Sequence, residues 1–437
     1  MSQAVSPSLS FEAAAPRPVH RKVATGAFLG VITDGYILGI VGIALSYARE
    51  PLGLTSYWMG LIGAGAMLGI LFGSLLMGPL ADRMGRRLPF LSLMAVIVGL
   101  SLWQFFIDDP FWLVAARFLL GMCVGADYAS GIPLLSEWTP EKKRARILSW
   151  HLVMWTLGFV LSYIVGSCMG DLGPDGWRWI IISSALPGAV ALLYRLGTPE
   201  SPGWLARRGR KAEALALVHT YLGEEYVLPR QEEEKQASGS WGRLFSPELR
   251  YNTIVAGVFF ACQVVPFFAI GIFLTLVLEQ LNVSNPHMSG ILYNVFTMLG
   301  VLIGTWLIDR ITRRFYLLST FYGAAAILAV MILWNSMPGS LAIVMLAALA
   351  LVLAMSIVLE FAYPPELFPT ELRASGVGLA VAVSRVGAGG GTFLLPVISD
   401  AFGIYASLWM CVGALLVGGV VCHLWAPETS GRQASSL

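Results

Sequence analysis

Twelve apolar segments, each long enough to cross a lipid bilayer, constrain this chain more than any other feature. A transmembrane helix needs about 20 apolar residues. Charged residues make up only 12% of the 437 positions, about half the share usual in a soluble domain. The sequence therefore predicts an all-α polytopic membrane protein with spans at 23–47, 58–80, 88–107, 112–135, 147–169, 177–197, 252–278, 288–308, 315–334, 340–363, 373–398 and 403–425.

The basic residues predict how these spans are oriented. If the N-terminus lies in the cytoplasm, 24 of the 28 lysines and arginines fall in cytoplasmic segments. The opposite side holds Arg49 and Arg178, and Arg117 and Arg385 lie inside spans. Cytoplasmic loops of membrane proteins carry such an excess of positive charge. We therefore expect both termini in the cytoplasm.

Five regions follow from this topology. Residues 1–22 are rich in Ser, Pro and Ala and predict a disordered cytoplasmic tail. The spans form an N-terminal six-helix bundle over 23–197 and a C-terminal one over 252–425. A charged cytoplasmic linker covers 198–251, and 426–437 form a second tail.

An internal repeat relates the two bundles. Four motifs recur at offsets between 227 and 231: D-R-M-G-R-R (82–87) as D-R-I-T-R-R (309–314), Glu137…Arg144 as Glu366…Arg373, P-E-S (199–201) as P-E-T (427–429), and M-L-G-x-L-x-G (67–73) as the same pattern at 298–304. Six spans are thus repeated in one orientation. Parallel repeats of this kind are used by transporters that bind substrate between their halves.

These motifs resemble those of the major facilitator superfamily over nearly the whole chain. D-R-M-G-R-R resembles its signature loop, and four further motifs resemble its sugar-porter-like branch: R-F-L-L-G-M-C-V-G (117–125), P-E-S-P-G-W-L (199–205), E-L-F-P-T-E-L-R (366–373) and P-E-T-S-G (427–431). That branch also contains phosphate, organic-acid, nicotinate and organic-cation carriers. The resemblance implies alternating access between two six-helix bundles.

The resemblance also implies a gate of charged residues at the cytoplasmic helix ends. Acidic and basic ends of neighbouring helices pair in this family when the cytoplasmic side is closed. The alternative is a solvated surface that only fixes the topology. The predicted gate residues are Asp82, Arg83, Gly85, Arg86, Arg87, Glu137, Arg144, Glu200, Asp309, Arg310, Arg313, Arg314, Glu366, Arg373 and Glu428.

Five ionisable residues lie within the spans: Asp34, Arg117, Asp127, Glu360 and Arg385. A charge at the bilayer centre costs about 2.5–3.5 kcal/mol on insertion scales, so these side chains should face a cavity or one another. Asp34 and Arg117 match the helix-1 acid and helix-4 arginine that proton-coupled members of the branch pair. We expect Asp34 and Arg117 to carry proton coupling, with a static ion pair as the alternative.

Asp127 and Tyr128 are candidate substrate ligands. They lie in V-G-A-D-Y, which resembles the G-x-D-Y stretch of proton-coupled phosphate carriers. Those carriers also place an aspartate in helix 7, whereas residues 252–278 contain no acid. Phosphate is therefore disfavoured, and the alternative for Asp127 is a packing role.

Sugar is disfavoured because the amide cluster of sugar porters is incomplete. Helix 5 lacks their glutamine, helix 7 has only Gln263, and Glu360 stands near their helix-10 tryptophan. Arg385 lies near the middle of helix 11 and suits an anionic substrate such as a carboxylate, the alternative being an ion pair with Glu360. Further residues that could line the cavity, or simply pack, are Tyr36, Trp155, Gln263, Phe267, Tyr293 and Asn294.

Together these residues predict a secondary active transporter, a proton-coupled symporter of a small organic anion in the plasma membrane. Its partners would be the substrate, protons and the bilayer, with no nucleic acid and no cofactor, and it would act as a monomer. The alternative is transport of a sugar, phosphate or organic cation by symport, antiport or facilitated diffusion. A transporter-like receptor is disfavoured by the short C-terminal tail. No nucleophile triad, metal cluster or ATP-binding loop points to an enzyme.

Overall fold

The structure is a computed structural model that describes residues 9–10, 14–15, 17–170, 172–228, 241–281, 283, 285–334, 337–369 and 371–430. Twelve of its helical segments are long and apolar enough to cross a membrane. The first half contains α1 (Pro18–Ala48), α2 (Ser56–Met84), α3 (Arg87–Trp103), α4 (Pro110–Trp138), α5 (Glu141–Cys168), α6 (Gly176–Ile182) and α7 (Ala185–Arg195). Helices α6 and α7 together form the sixth span.

Two short helices, α8 (Pro202–Arg207) and α9 (Lys211–Tyr221), follow the first half. The second half contains α10 (Arg250–Ile272), α11 (Leu274–Gln280), α12 (Pro286–Leu307), α13 (Arg313–Leu333), α14 (Gly339–Glu366), α15 (Arg373–Phe402) and α16 (Ile404–Trp425). Most helix contacts stay within a half, and α1 with α10, α2 with α15 and α5 with α12 join the halves. The predicted twelve-span all-α fold is confirmed.

Local sequence explains where several helices begin. The side chains of Thr55, Asp109 and Asn285 accept hydrogen bonds from the first turns of α2, α4 and α12. Proline occupies the first position of α4 and α12, where its missing N–H costs nothing. These caps fix the ends of the loops on one side of the bundle.

Glycines allow the closest helix pairs. A Cβ at Gly121 would lie 2.1 Å from the Ala66 carbonyl oxygen of α2, and a Cβ at Gly69 would lie 2.1 Å from the Phe118 carbonyl oxygen of α4. The repeat places Gly300 of α12 at the position of Gly69, and its Cβ would lie 2.4 Å from the Leu351 carbonyl oxygen of α14. The repeated M-L-G motif therefore makes the same close backbone contact in both halves.

The N-terminal region departs from the expectation of a disordered tail over 1–22 at the positions described. Leu9–Ser10 (β1) pairs in parallel with Tyr226–Val227 (β2), and α1 begins at Pro18. Ala14 packs in an apolar cluster with Trp138, Leu222 and Tyr226. Burial of this apolar surface orders the segment, and no hydrophobic period in residues 1–22 predicts it. The rest of the tail, like residues 431–437, lies outside the described residues.

Candidate substrate and proton sites

A cavity of about 260 Å³ lies between the two halves. Its polar lining residues are Ser74, Tyr128, His151, Glu360 and Arg385. The remaining walls are apolar and aromatic and include Trp155 of α5 and Phe260 and Phe268 of α10; the rings of Trp155 and Phe268 lie 5.9 Å apart. This is the position at which transporters with parallel repeats hold their substrates.

Helical spacing brings these side chains to one surface. Val377, Val381 and Arg385 recur every four residues along α15, and His151 and Trp155 are separated by one turn of α5. Residues three or four apart share a face of a helix. His151 was missed by sequence reasoning, although its spacing from Trp155 was the signal that could have found it.

Glu360 and Arg385 line this same cavity without forming an ion pair within 4.0 Å in the described part of the chain. Oε1 of Glu360 and Nε of Arg385 have no hydrogen-bond partner there. The alternative of a direct Glu360–Arg385 ion pair is therefore absent from this conformation. Both side chains line the cavity that a ligand would occupy.

Asp34 and Arg117 do not pair as predicted. Both side chains are fully buried, and Arg117 Nη2 donates to the Ile37 carbonyl oxygen at 2.7 Å. The carboxylate oxygens of Asp34 have no hydrogen-bond partner among the described residues. Side chains lean toward the N-terminus of their own helix. Because α1 and α4 run in opposite directions, Asp34 and Arg117 lean apart.

Asp127 has a different partner from the one expected of a substrate ligand. Its two oxygens accept hydrogen bonds from Nη1 and Nη2 of Arg195 at 2.7 and 2.8 Å. Arg195 is 0% exposed and Asp127 3% exposed. With both oxygens occupied, Asp127 points away from the cavity and into the first half, while its neighbour Tyr128 lines the cavity.

Arg195 binds four helices together. Its Nε donates to the Gly26 carbonyl oxygen of α1 at 3.0 Å, and Nη1 donates to the Phe90 carbonyl oxygen of α3 at 2.7 Å. Its guanidinium carbon lies 3.7 Å from the centre of the Phe90 ring, a cation–π contact. Sequence reasoning counted Arg195 among the cytoplasmic charges because it stands at the end of a span.

Asp34 lies close to this buried pair. Gly30, one turn before it on α1, faces both Asp127 and Arg195, and Asp34 interacts electrostatically with both of them. The membrane-spanning core of the first half thus holds the buried carboxylates Asp34 and Asp127 together with the buried arginines Arg117 and Arg195. Among these four residues, Asp34 is the one whose carboxylate has no hydrogen bond.

Four other predicted ligands lie outside the cavity lining. The Tyr36 hydroxyl shares a 2.8 Å hydrogen bond with Ser183 Oγ, and Asn294 Nδ2 donates to the Gly290 carbonyl oxygen at 2.9 Å. Tyr293 and Gln263 are buried. Neither atom of the Gln263 amide has a hydrogen-bond partner in the described residues. Packing inside each half keeps these side chains from the cavity in this conformation.

The predicted gate residues form the same network in both halves. Glu200 accepts hydrogen bonds from the backbone N–H groups of Arg86 and Arg87 at the start of α3. Glu428 does the same for Arg313 and Arg314 at the start of α13. A carboxylate at a helix N-terminus is stabilised by the helix dipole.

Ion pairs complete this network. Arg86 contacts Asp82 and Glu137 at 3.3 and 3.4 Å, and Arg313 contacts Asp309 and Glu366 at 3.8 and 3.4 Å. Ser201 and Thr429 donate to Glu137 and Glu366. In the same region Arg83, Arg310 and Arg373 are exposed and Arg144 is half-buried. A Cβ at Gly85, whose φ is +98°, would lie 2.4 Å from Glu200 Oε2.

The end of the bundle that carries this network, here termed the basic end, is also the end toward which the cavity extends. The cavity reaches Pro365 and Val377 near the ends of α14 and α15. These ion pairs join residues within one half, so they form without closure of the basic end. The role of these residues as a gate therefore stays a prediction.

The halves meet closely at the opposite end. A Cβ at Gly42 of α1 would lie 1.5 Å from the Ile272 carbonyl oxygen of α10, and a Cβ at Gly60 of α2 would lie 2.5 Å from the Phe393 carbonyl oxygen of α15. The rings of Tyr47 and His287 stack 6.4 Å apart. The cavity is therefore separated from the end opposite the basic end.

Comparisons with known proteins agree with this architecture. The family model described as "Sugar (and other) transporter" matches residues 20–436. The inner membrane metabolite transport protein YgcS of Escherichia coli is 37% identical over 94% of this chain and 92% of its own. The D-xylose transporter of Levilactobacillus brevis is 28% identical over 92% of this chain and 91% of its own.

A solved structure extends the comparison to the fold. The partially occluded inward-open conformation of the xylose transporter XylE from E. coli superposes with a TM-score of 0.80 at 19% identity, over 96% of this chain and 99% of that one. The relatives are transport proteins and not enzymes. The chain belongs to the sugar (and other) transporter family of the major facilitator superfamily and is a multi-pass secondary transporter.

Proposed function

We propose that the chain is a proton-coupled symporter of a small organic anion that works by alternating access. The observation that carries this proposal is Arg385, a cation on the wall of the cavity between the halves that has no ion-pair partner within 4.0 Å among the residues the structure describes. A guanidinium binds a carboxylate through two parallel hydrogen bonds. The cavity would hold the carbon skeleton of the substrate against Trp155 and Phe268.

Asp34 would carry the proton. A buried carboxylate without a hydrogen bond is costly when ionised and stable when protonated. Protonation and release at Asp34 would change the charge of the buried cluster that links α1 to α4 and α7. Such a change can bias the packing of α1, which contacts α10 of the other half.

The basic end would face the cytoplasm, with both termini on that side, in agreement with the positive-inside rule. The name of the E. coli relative YgcS supports an inner-membrane location. In this orientation the structure corresponds to an inward-facing state. We expect the transporter to act as a monomer, because each chain holds its own cavity between its two halves.

A second candidate substrate is a sugar, and the similarity of the chain to the D-xylose transporter of L. brevis supports this candidate. Arg385 would then bind no anion, and the hydroxyl groups would bind Tyr128, His151 and Glu360. A thermal-shift screen of purified protein against carboxylates, sugars, phosphate and organic cations separates the candidates, since a ligand raises the melting temperature by mass action. Stabilisation by sugars alone would overturn the anion proposal.

A further inference from the structure

Glu360 is a buried carboxylate that the proposed function leaves without a role. It lies on α14, is 7% exposed, and lines the cavity that also contains Arg385. No described residue donates a hydrogen bond to its Oε1. Buried acids in membrane spans almost always face a partner or a pathway, and the place of Glu360 in the cavity lining indicates that its carboxyl group faces a ligand.

The cavity therefore presents opposite charges to one ligand. The Arg385 guanidinium donates hydrogen bonds and so needs an acceptor on the ligand, whereas a carboxyl oxygen of Glu360 accepts hydrogen bonds and so needs a donor. A simple carboxylate would satisfy Arg385 and leave Glu360 without a donor, which carries the full penalty of an unpaired buried group. A neutral sugar would leave Arg385 without an anion. His151 is another polar residue in the lining of the same cavity.

We propose that Glu360 binds a hydrogen-bond donor of the substrate, so that the transporter selects small carboxylates that also carry a hydroxyl or ammonium group. This inference rests on the proposed function, because it assumes that Arg385 binds the carboxylate. Beyond the proposed function, it assigns to Glu360 the selection of one carboxylate substrate over another. The apolar walls around Trp155 and Phe260 accept the carbon chain in each case.

Four probes with six carbons each test the inference: gluconate, 6-aminohexanoate, hexanoate and glucose. Their affinities for the purified full-length protein are measured by isothermal titration calorimetry. A donor that reaches a buried carboxylate should make gluconate, 6-aminohexanoate or both bind about 10- to 100-fold more tightly than hexanoate. The variant Glu360→Met, which keeps the side-chain volume, should reduce this ratio to about one.

A second variant distinguishes the two kinds of donor. Glu360→Gln keeps an oxygen acceptor but removes the charge. A hydroxyl-binding site retains its preference for gluconate in this variant, whereas an ammonium-binding site loses its preference for 6-aminohexanoate. The thermal unfolding midpoint of each variant without ligand shows that the fold is kept.

Other outcomes would overturn the inference. If hexanoate binds as tightly as both donor-bearing probes, Glu360 does not select the substrate, although the anion proposal stands. If Glu360→Met leaves the ratio unchanged and abolishes pH-driven uptake, Glu360 carries a proton instead. If glucose binds and none of the three carboxylates does, the proposed function fails and this inference fails with it.

Discussion

The buried Asp127–Arg195 pair should dominate the stability of the first half. Arg195 is 0% and Asp127 3% exposed, and two hydrogen bonds of 2.7 and 2.8 Å join them. Removal of one member leaves an uncompensated buried charge, which costs about 3–5 kcal/mol. For a half of this size that corresponds to a fall on the order of 10 °C in melting temperature. We expect this fall for Asp127→Asn and a larger one for Arg195→Met, which also strips the carbonyl oxygens of Gly26 and Phe90.

A double-mutant cycle measures the coupling within the pair. The double variant Asp127→Asn/Arg195→Met removes both charges, so its loss should be smaller than the sum of the single losses by about 2 kcal/mol or more. Melting temperatures in detergent, followed by tryptophan fluorescence, give the three values. Additive losses, or single variants that melt within 2 °C of the unmodified protein, would refute the pairing.

Gly30 provides an independent route to the same perturbation. A Cβ at this position would lie 1.7 Å from Arg195 Nη2, so Gly30→Ala should displace the guanidinium without changing any charged residue. Gly99→Ala on α3 is the matched control, because nothing lies within 4 Å of its Cβ. Equal melting temperatures for the two variants would contradict the position of Arg195.

Three further outcomes are expected. Gly42→Leu should separate the halves at the end opposite the basic end, because its Cβ would overlap the Ile272 carbonyl oxygen. A cysteine introduced in place of Ile357, which lines the cavity, should then become accessible from that end. Unchanged labelling of this cysteine would contradict the close contact of the halves there. Glu428→Gln should lower stability by about 0.3–1 kcal/mol by removing the charge at the start of α13. Burial raises the pKa of Glu428, but hydrogen bonds from Ser430 and from the backbone of Arg314 and Arg313 outweigh burial, so that its net pKa lies below the usual 4.5. The stabilisation by the Glu428 charge should therefore be present above pH 4.5 and vanish as the pH falls through the lowered pKa. A stability difference between the unmodified protein and Glu428→Gln that does not depend on pH would contradict this. Arg385→Lys should weaken carboxylate binding by about tenfold through loss of the two-bond geometry, and unaltered affinity would argue against direct contact.

The spans and the internal repeat could be predicted because apolar length and motif spacing are properties of the chain itself. The repeat also relates Gly69 to Gly300, although their close helix contacts became visible only in the structure. Tyr128, Trp155, Glu360 and Arg385 were named from residue type and position, and the structure brings these four to one cavity.

The partners of the buried charges could not be predicted. Asp34 was assigned to Arg117 from the resemblance to proton-coupled members of the family, and that resemblance does not reveal which way each side chain leans in this chain. Arg195 stands at a span end, where a cation is typical of a cytoplasmic loop. Its burial depends on the packing of α1, α3, α4 and α7, and that packing is not encoded in any local pattern. Trp155 could be placed only once α5 was packed against α10.

In the proposed mechanism the proton moves through Asp34 in the first half while Arg385 binds the charged group of the substrate in the second. The most direct measurement of this mechanism uses proteoliposomes containing the unmodified protein or Asp34→Asn, with a radiolabelled carboxylate that binds in the six-carbon panel. We predict that Asp34→Asn abolishes accumulation driven by an inward pH gradient and retains exchange of labelled for unlabelled substrate. Accumulation at the unmodified level in Asp34→Asn would contradict this mechanism.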